Sequence, residues 1–183
     1  LICRLESAGA DREAGLGCSH PEHEAERGRS LFWMEPPLDA VIHTLKYDGR
    51  RPVGRALGRM MGRGIAPPPD LRGIIPLPLH RTRRRERGYN QAADIARGVA
   101  EAWRVPVRED LLFRNRPTRV QAKLRAEDRP RNVAGVFRAG GDLEGVWALV
   151  DDVATTGSTL SEGAKALRGA RADRVFPLVG ALA

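Results

Sequence analysis

Cysteine is scarce in this chain, which has only Cys3 and Cys18 among its 183 residues. Two thiols are too few for a disulfide-stabilised secreted domain, so a reducing cytoplasm is the expected compartment. With His20 and His23 they would make four candidate zinc ligands, but structural zinc sites usually bring their ligands in close pairs. Because Cys3 has no partner near it in the sequence, we expect no zinc site.

Long apolar runs and aromatic residues are also lacking. No stretch approaches the roughly 20 apolar residues that cross a bilayer, and no charged-then-apolar signal segment opens the chain. We therefore expect no membrane insertion. Aromatic residues make up only 5% of the sequence, which leaves few stacking platforms for single-stranded nucleic acid.

Positive charge is in excess, with 31 Lys and Arg against 23 Asp and Glu and a net charge of +8. This balance predicts attraction to anions, either nucleic acid or a polyphosphate ligand, and says nothing about the fold. The length allows one domain with a substantial core. We expect that domain at residues 36–183, after a poorly ordered segment at residues 1–35.

The most informative stretch begins with five apolar residues, Val146–Val150, which are typical of a buried strand in a parallel sheet. Asp151 and Asp152 follow, and then a turn of small and hydroxylated residues. Thr159 and Glu162 have the spacing of a capping box that begins a helix. Such a helix start can hold a phosphate, whereas the carboxylates would need sugar hydroxyls or a cation to face.

This order of strand, acidic pair, turn and helix resembles the phosphoribosyl-pyrophosphate motif of type I phosphoribosyltransferases. The resemblance implies that Asp151 and Asp152 hold the two ribose hydroxyls and are the catalytic residues. It implies that Mg²⁺ accompanies the pyrophosphate with few direct protein ligands. The alternative is a turn whose Asp and Thr side chains only cap the helix. The residues expected to surround the 5′-phosphate are Val153, Ala154, Thr155, Thr156, Gly157, Ser158 and Thr159.

A basic loop provides the second group of candidates. It lies between a predicted strand at Gly73–Leu79, whose prolines favour a sheet edge or loop mouth, and an amphipathic helix with Asn90 as its N-cap. Open α/β sheets bind ligands at strand ends, so we expect at least one arginine of the loop to contact pyrophosphate or nucleic acid. The alternative is a mobile, solvated face. The arginines are Arg81, Arg83, Arg84, Arg85 and Arg87.

Three ordered segments, Leu45–Tyr47, Pro76–Leu79 and Arg87–Gln91, resemble signatures of the ComF (competence protein FC) family, which is phosphoribosyltransferase-like and associated with DNA uptake. The resemblance covers about residues 38–183. ComF proteins often begin with a four-cysteine zinc module, so residues 1–35 would be a degenerate remnant of one.

The resemblance also implies that the polar segment Arg114–Asn132 is a mobile hood that closes over the ligand and excludes water. Two short predicted strands, Leu111–Phe113 and Val133–Phe137, flank this segment. The alternative is an ordinary exposed hairpin. The hood residues that match the family are Gln121, Arg129 and Asn132.

These patterns predict an α/β fold of the type I phosphoribosyltransferase kind, with a mostly parallel sheet flanked by helices. Helices are predicted at Leu38–Tyr47 and Pro52–Arg63, and a last strand at Arg174–Val179, where Pro177 suggests an edge. The expected buried stripe of the second helix is Val53, Leu57, Met60 and Met61.

The function implied by the resemblance is transfer of ribosyl phosphate from phosphoribosyl pyrophosphate to an unidentified acceptor. The expected ligand is phosphoribosyl pyrophosphate or a nucleotide-like molecule. The alternative is a non-catalytic protein of the competence machinery that binds single-stranded DNA through the arginines. Asp151, Asp152 and the turn after them are central to the first hypothesis, and the basic loop is central to the second.

Overall fold

The structure is a computed structural model that describes residues 5–6, 14–16, 28–30, 32–47, 49–115 and 135–183. The elements in chain order are β1 (Leu5–Glu6), β2 (Ala14–Leu16), β3 (Gly28–Ser30), α1 (Leu38–Tyr47), α2 (Arg51–Gly64), β4 (Leu71–Pro76), α3 (Arg81–Arg87), α4 (Gln91–Trp103), β5 (Leu112–Arg114), β6 (Phe137–Ala139), β7 (Val146–Ala154), α5 (Ser158–Gly169) and β8 (Arg174–Leu182).

The main sheet has the strand order β1-β2-β3-β8-β7-β4. Strands β3, β8, β7 and β4 pair in parallel, whereas β1 and β2 add antiparallel pairs at one side. Strands β5 and β6 form a separate antiparallel pair. The expected fold class, α/β with a mostly parallel sheet flanked by helices, is confirmed. Within the described ranges, no helix combines the length and apolar character that crossing a bilayer requires.

Strand β7 has helices on both of its faces, which explains its unbroken apolar run. Trp147 and Leu149 pack into a core with Leu160 and other residues of α5, whereas Ala148 and Val150 pack into a second core with α1, α2 and α4. Successive strand residues point to opposite faces, so a strand covered on both sides needs apolar residues at every position.

Helices α2 and α4 pack unusually closely because small residues lie where they cross. A Cβ atom added to Gly58 would collide with the backbone of α4 at Ile95, and one added to Gly98 would collide with the backbone of α2. The predicted buried stripe of α2 is wrong at Met60, whose side chain is 56% exposed. Gly54 and Gly58 are buried instead, beside Leu57 and Met61. A hydrophobic pattern that counts only large apolar residues does not detect buried glycines.

The two proline-based edge predictions have different outcomes. Strand β4 lies at the edge of the sheet, as expected. The prediction for β8 is wrong, because the segment before α1 covers its second side. Arg29 pairs with Leu178, and the Met34 N–H donates to the Leu182 carbonyl at 2.7 Å. That segment carries little periodic pattern, so its pairing could not be predicted from the sequence. The division of the chain at residue 35 stays a prediction.

Candidate functional site

A shallow pocket of about 200 Å³, a volume that includes space open to solvent, lies where β7 runs into α5. Except for Leu160, every residue that lines the pocket was predicted from the sequence to bind ribose or the 5′-phosphate. The strand extends through the acidic pair to Ala154, so the two aspartates belong to β7 rather than to the turn after it. The pocket is lined by Asp151, Val153, Ala154, Thr155, Gly157, Ser158, Thr159 and Leu160.

The turn before α5 is shaped by Gly157 and by its own hydroxyl groups. Gly157 has φ of +70°, in the left-handed region, where a residue with a Cβ is strained. Thr156 Oγ1 lies 2.7 Å from Ser158 Oγ, which ties one side of the turn together. The first turn of α5 borders the pocket, which Ser158, Thr159 and Leu160 line. The N–H groups of a helix's first turn have no acceptors within the helix.

The predicted capping box is wrong. Gly157 is the N-cap residue of α5, and it has no side chain to cap with. Glu162 instead accepts a hydrogen bond from the Gly135 N–H at 2.9 Å, which joins α5 to the segment leading into β6. Asn90 does stand at the N-cap of α4, but its Nδ2 donates to the Leu77 carbonyl at 3.0 Å. The Glu162 and Asn90 side chains therefore bond to residues distant in the sequence instead of capping their own helices.

The two aspartates have different surroundings. The Asp151 carboxylate lines the pocket, and its Oδ1 accepts the N–H of Asp152 at 2.8 Å. Asp152 Oδ2 lies 3.3 Å from Lys46 Nζ of α1, and these side chains are 15% and 24% exposed. The sequence showed Lys46 only inside a family signature, without a role. Its distance from Asp152 along the chain explains why the ion pair was missed.

Burial raises the pKa of Asp151 well above its ordinary value of 3.8, and repulsion from the Asp152 carboxylate raises it further. The Lys46 ammonium lowers this pKa, but as a smaller effect. An ionised Asp151 is therefore poorly stabilised by the protein alone. Hydroxyl donors or a cation in the pocket would stabilise its charged form.

The basic loop is a helix, α3, which corrects the prediction of an irregular segment. Its N-cap His80 accepts the Thr82 N–H through Nδ1 at 3.3 Å, and Gly88 ends it with φ of +75°. Arg83 and Arg87, one turn apart, are half-buried. The exposed residues of the predicted set are Arg81, Arg84 and Arg85.

Several predicted residues lie outside the part of the chain that the structure describes. The first flanking strand of the predicted hood is present as β5, one residue later than expected. The second was predicted too early, because β6 begins at Phe137, where the predicted strand ends, and Gly135 and Val136 lie outside any strand. Strands β5 and β6 pair with each other. The hood itself stays a prediction, and so does the absence of a zinc site. The residues concerned are Gln121, Arg129 and Asn132 of the hood, and Cys3, Cys18, His20 and His23 near the N-terminus.

Comparison with known proteins identifies the family, although no family model matches the chain. The chain is 32% identical over 174 residues to DNA utilization protein YhgH from Salmonella typhi, covering 85% of this chain and 76% of that protein. It is 33% identical over 142 residues to Competence protein F from Haemophilus influenzae, covering 72% of this chain and 62% of that protein. The chain belongs to the ComF family.

Two solved structures are also similar to this ComF chain. One is the allosteric regulatory enzyme of purine biosynthesis, with 23% identity, a TM-score of 0.48 and coverage of 69% of this chain and 25% of that chain. The other is glutamine phosphoribosylpyrophosphate amidotransferase from B. subtilis in complex with ADP and GMP, with 25% identity, the same TM-score and coverage of 69% and 26%.

Proposed function

We propose that this ComF protein binds phosphoribosyl pyrophosphate at the end of β7 and transfers the ribosyl phosphate to an acceptor. The observation that carries the proposal is that Asp151 shares one pocket with the hydroxyl-rich turn and the first turn of α5. A carboxylate beside a phosphate would be repelled. A carboxylate and a phosphate-binding turn can serve the same ligand when that ligand carries hydroxyl groups next to a phosphate, as ribose 5-phosphate does.

The 5′-phosphate binds at the turn. Its oxygens accept hydrogen bonds from the N–H groups at the start of α5 and from the hydroxyls of Thr155, Ser158 and Thr159, which line the pocket. The positive end of the α5 dipole adds to the attraction. Ala154 has a small side chain and Gly157 has none, with open space where its Cβ would lie, so the phosphate can approach the backbone.

The ribose hydroxyls bind at the acidic pair. Each hydroxyl that donates to Asp151 stabilises its ionised form and so lowers its raised pKa. Lys46 Nζ, 3.3 Å from Asp152 Oδ2, holds the Asp152 carboxylate in place. The carboxylate oxygens of Asp151 also suit Mg²⁺, a hard cation that prefers oxygen ligands. When bound, Mg²⁺ would neutralise charge on the pyrophosphate.

The transfer is a displacement at C1 of the ribose. A bond forms from an acceptor atom to C1 while the bond from C1 to pyrophosphate oxygen breaks, and the electron pair leaves with pyrophosphate. C1 gains positive character as this occurs, and the negative charges of Asp151 and Asp152 stabilise it. The protein's own contribution is to orient the sugar and to keep water from C1.

The test is thermal unfolding of the whole chain with phosphoribosyl pyrophosphate and Mg²⁺. A ligand at 100 times its Kd stabilises the folded state by about 2.7 kcal/mol, and for a chain of this size we expect a Tm increase of about 5–10 °C. Mg²⁺ alone and pyrophosphate alone serve as controls. No change in Tm at saturating ligand would refute binding.

Single-stranded DNA binding through α3 is a second candidate function. It is supported by the exposed row of Arg81, Arg84 and Arg85, and by the names of the relatives, one a DNA utilization protein and one a competence protein. Phosphate contacts by arginine weaken steeply with salt. We expect DNA affinity to fall with salt and to be unchanged by Asp151→Asn. Affinity that is insensitive to salt would contradict this function.

A further inference from the structure

We infer that Tyr89 is a positioning residue for the ribose end of the pocket. Its hydroxyl holds the C-terminal end of α1, and through Lys46 that end of the helix sets the Asp152 carboxylate. This role rests on the proposed function of the pocket as a ribose phosphate site. It also gives a chemical role to the three segments that resemble ComF signatures. These are Leu45–Tyr47, Pro76–Leu79 and Arg87–Gln91.

The Tyr89 hydroxyl donates a hydrogen bond to the Leu45 carbonyl of α1. Helix α1 ends at Tyr47, and the carbonyls of a helix's last turn have no N–H donor within the helix. The Leu45 carbonyl therefore needs a partner from outside α1, and Tyr89 provides it. Because this bond is buried and the Tyr89 side chain is only 8% exposed, loss of the hydroxyl would leave the carbonyl without a donor.

Leu45 is also held through its side chain, which is fully buried in the core that contains Tyr89. A Cβ atom added to Gly54 of α2 would lie 2.9 Å from Leu45 Cδ1, so this side chain packs directly against α2. The backbone at Leu45 is thus fixed from two sides. Lys46 is the next residue, in the last turn of α1, and its Nζ lies 3.3 Å from Asp152 Oδ2.

The residue after Tyr89 joins the same segment to the acidic pair by a second route. Asn90 Nδ2 donates to the Leu77 carbonyl at 3.0 Å, and the Leu77 N–H donates to the Val150 carbonyl at 2.8 Å. Val150 directly precedes Asp151 in β7. This route therefore connects the segment before α4 to the backbone that carries the acidic pair.

The two routes form one closed network of contacts. The first runs from Tyr89 through the end of α1 to the Asp152 carboxylate, and the second runs from Asn90 through Leu77 to the β7 backbone. Because both start from adjacent residues, the position of Lys46 relative to the acidic pair is set by the fold as well as by the ion pair. Asp152 is then oriented before the ribose binds, which lowers the entropic cost of binding.

Trp103 at the C-terminal end of α4 provides a matched control. Its Nε1 donates to the carbonyls of Gly62 and Ile65, each at 2.9 Å, and its side chain is 9% exposed. It is therefore also a buried aromatic residue that supplies a donor to the end of a neighbouring helix, but that helix is α2 rather than α1. If Tyr89 only stabilises helix packing, replacing Trp103 should affect ligand binding in the same way.

The test is calorimetric titration of the whole chain with ribose 5-phosphate and with inorganic phosphate. For Tyr89→Phe we expect affinity for ribose 5-phosphate to fall about 3- to 5-fold, because the lost hydrogen bond affects the ligand only through Lys46. Affinity for inorganic phosphate, which would bind at the turn before α5, should stay within about twofold. Trp103→Phe should bind both ligands as the wild type does, although we expect its Tm to be lower.

A double-mutant cycle with Lys46→Met separates positioning from general stability. If Tyr89 acts through Lys46, Tyr89→Phe should change ribose 5-phosphate affinity by less than about 1.5-fold once Lys46 is replaced. Independent residues would give multiplied losses in the double variant. In urea without ligand, the double variant should lose less unfolding free energy than the sum of the two single variants, because both contacts share the end of α1.

Three results would overturn the role of Tyr89. In the first, Tyr89→Phe leaves ribose 5-phosphate affinity unchanged or lowers it no more than Trp103→Phe does. In the second, Tyr89→Phe weakens inorganic phosphate as much as ribose 5-phosphate. In the third, the affinity losses of Tyr89→Phe and Lys46→Met multiply in the double variant. Each of these results leaves the proposed function intact.

The proposed function fails instead if the wild type does not bind ribose 5-phosphate. Unfolding in urea then decides the role of Tyr89 without a ligand. A double variant that loses less than the sum would still support Tyr89 as the residue that positions Lys46. Additive losses would overturn both proposals.

Discussion

Asp94 of helix α4 and Asp151 at the end of β7 are both acidic residues with limited exposure, but their charged surroundings differ. Asp94 is 4% exposed and receives ion pairs from Arg51 at 3.1 Å and Arg97 at 2.6 Å. Burial raises the pKa of Asp151, and repulsion from the Asp152 carboxylate raises it further. The first carboxylate has its counter-charges within the fold. We propose that the second gains them from a ligand, a contrast that would separate a structural acid from a ligand-binding one.

The largest effect is expected for Asp94→Asn, which tests the structural side of the contrast. The change leaves two arginines without their shared carboxylate, and breaking a buried ion pair typically costs 3–5 kcal/mol. Because Arg51 is 57% exposed at its side chain, we expect a loss of about 3 kcal/mol in the free energy of unfolding. Urea denaturation measures it. Affinity for phosphoribosyl pyrophosphate in the folded variant should be unchanged. A loss of binding free energy as large as the loss of unfolding free energy would show that Asp94 is not a purely structural acid.

Asp151→Asn tests the binding side. Loss of the charged acceptor should weaken phosphoribosyl pyrophosphate about 30-fold, or about 2 kcal/mol. In the absence of ligand the same variant should have a higher Tm at pH 7, because a poorly stabilised charge is gone. Calorimetric titration and thermal unfolding measure the two effects. A variant that loses both stability and affinity would place Asp151 with the structural acids.

Lys46→Met sharpens the contrast by removing the cation that the fold provides to the acidic pair. Asp152 then loses its partner at 3.3 Å, and its carboxylate is no longer fixed for the ribose. We expect affinity for ribose 5-phosphate to fall about 10-fold, about 1.4 kcal/mol. Lys46→Arg should recover most of it, since the charge returns. Equal loss in both variants would show that packing of the side chain, rather than its charge, is what matters.

A smaller effect is expected in the pH dependence. The folded-state pKa of Asp151 lies above its unfolded value of 3.8, so the stability from its neutral form is present below pH 3.8 and is lost as pH rises through the folded pKa. Affinity for ribose 5-phosphate should rise over the same interval, because hydroxyls donate best to the ionised group. Asp151→Asn should retain only the pH dependence of the ligand phosphate. Identical profiles for the two proteins would contradict the account.

The sequence predicted those features that local pattern determines. The apolar run of β7 and the helical spacing of α1 and α4 appear at the expected places. It failed where a side chain is used by a distant element, as with Glu162, which bonds Gly135. Lys46 was missed for the same reason, because the ion pair with Asp152 depends on how α1 packs against the sheet.

A second kind of failure came from residues whose role is to be small. The glycines between α2 and α4 allow the helices to touch, but hydrophobic periodicity gives them no weight, and Met60 was assigned to the core instead. The prediction of a loop at Arg81–Arg87 was wrong for another reason, since this segment is a helix. The strongest feature of its sequence is charge, which describes a surface and carries little information on whether the backbone is a loop or a helix.

Ribose 5-phosphate binding in the pocket between β7 and α5 is the proposal on which the others depend. A crystal structure of the chain soaked with ribose 5-phosphate and Mg²⁺ would show the bound ligand itself. We expect the phosphate against the turn at Thr155–Thr159, with the ribose hydroxyls within hydrogen-bonding distance of Asp151. A phosphate bound on the exposed arginines of α3, with the pocket at Asp151 empty, would refute the proposal.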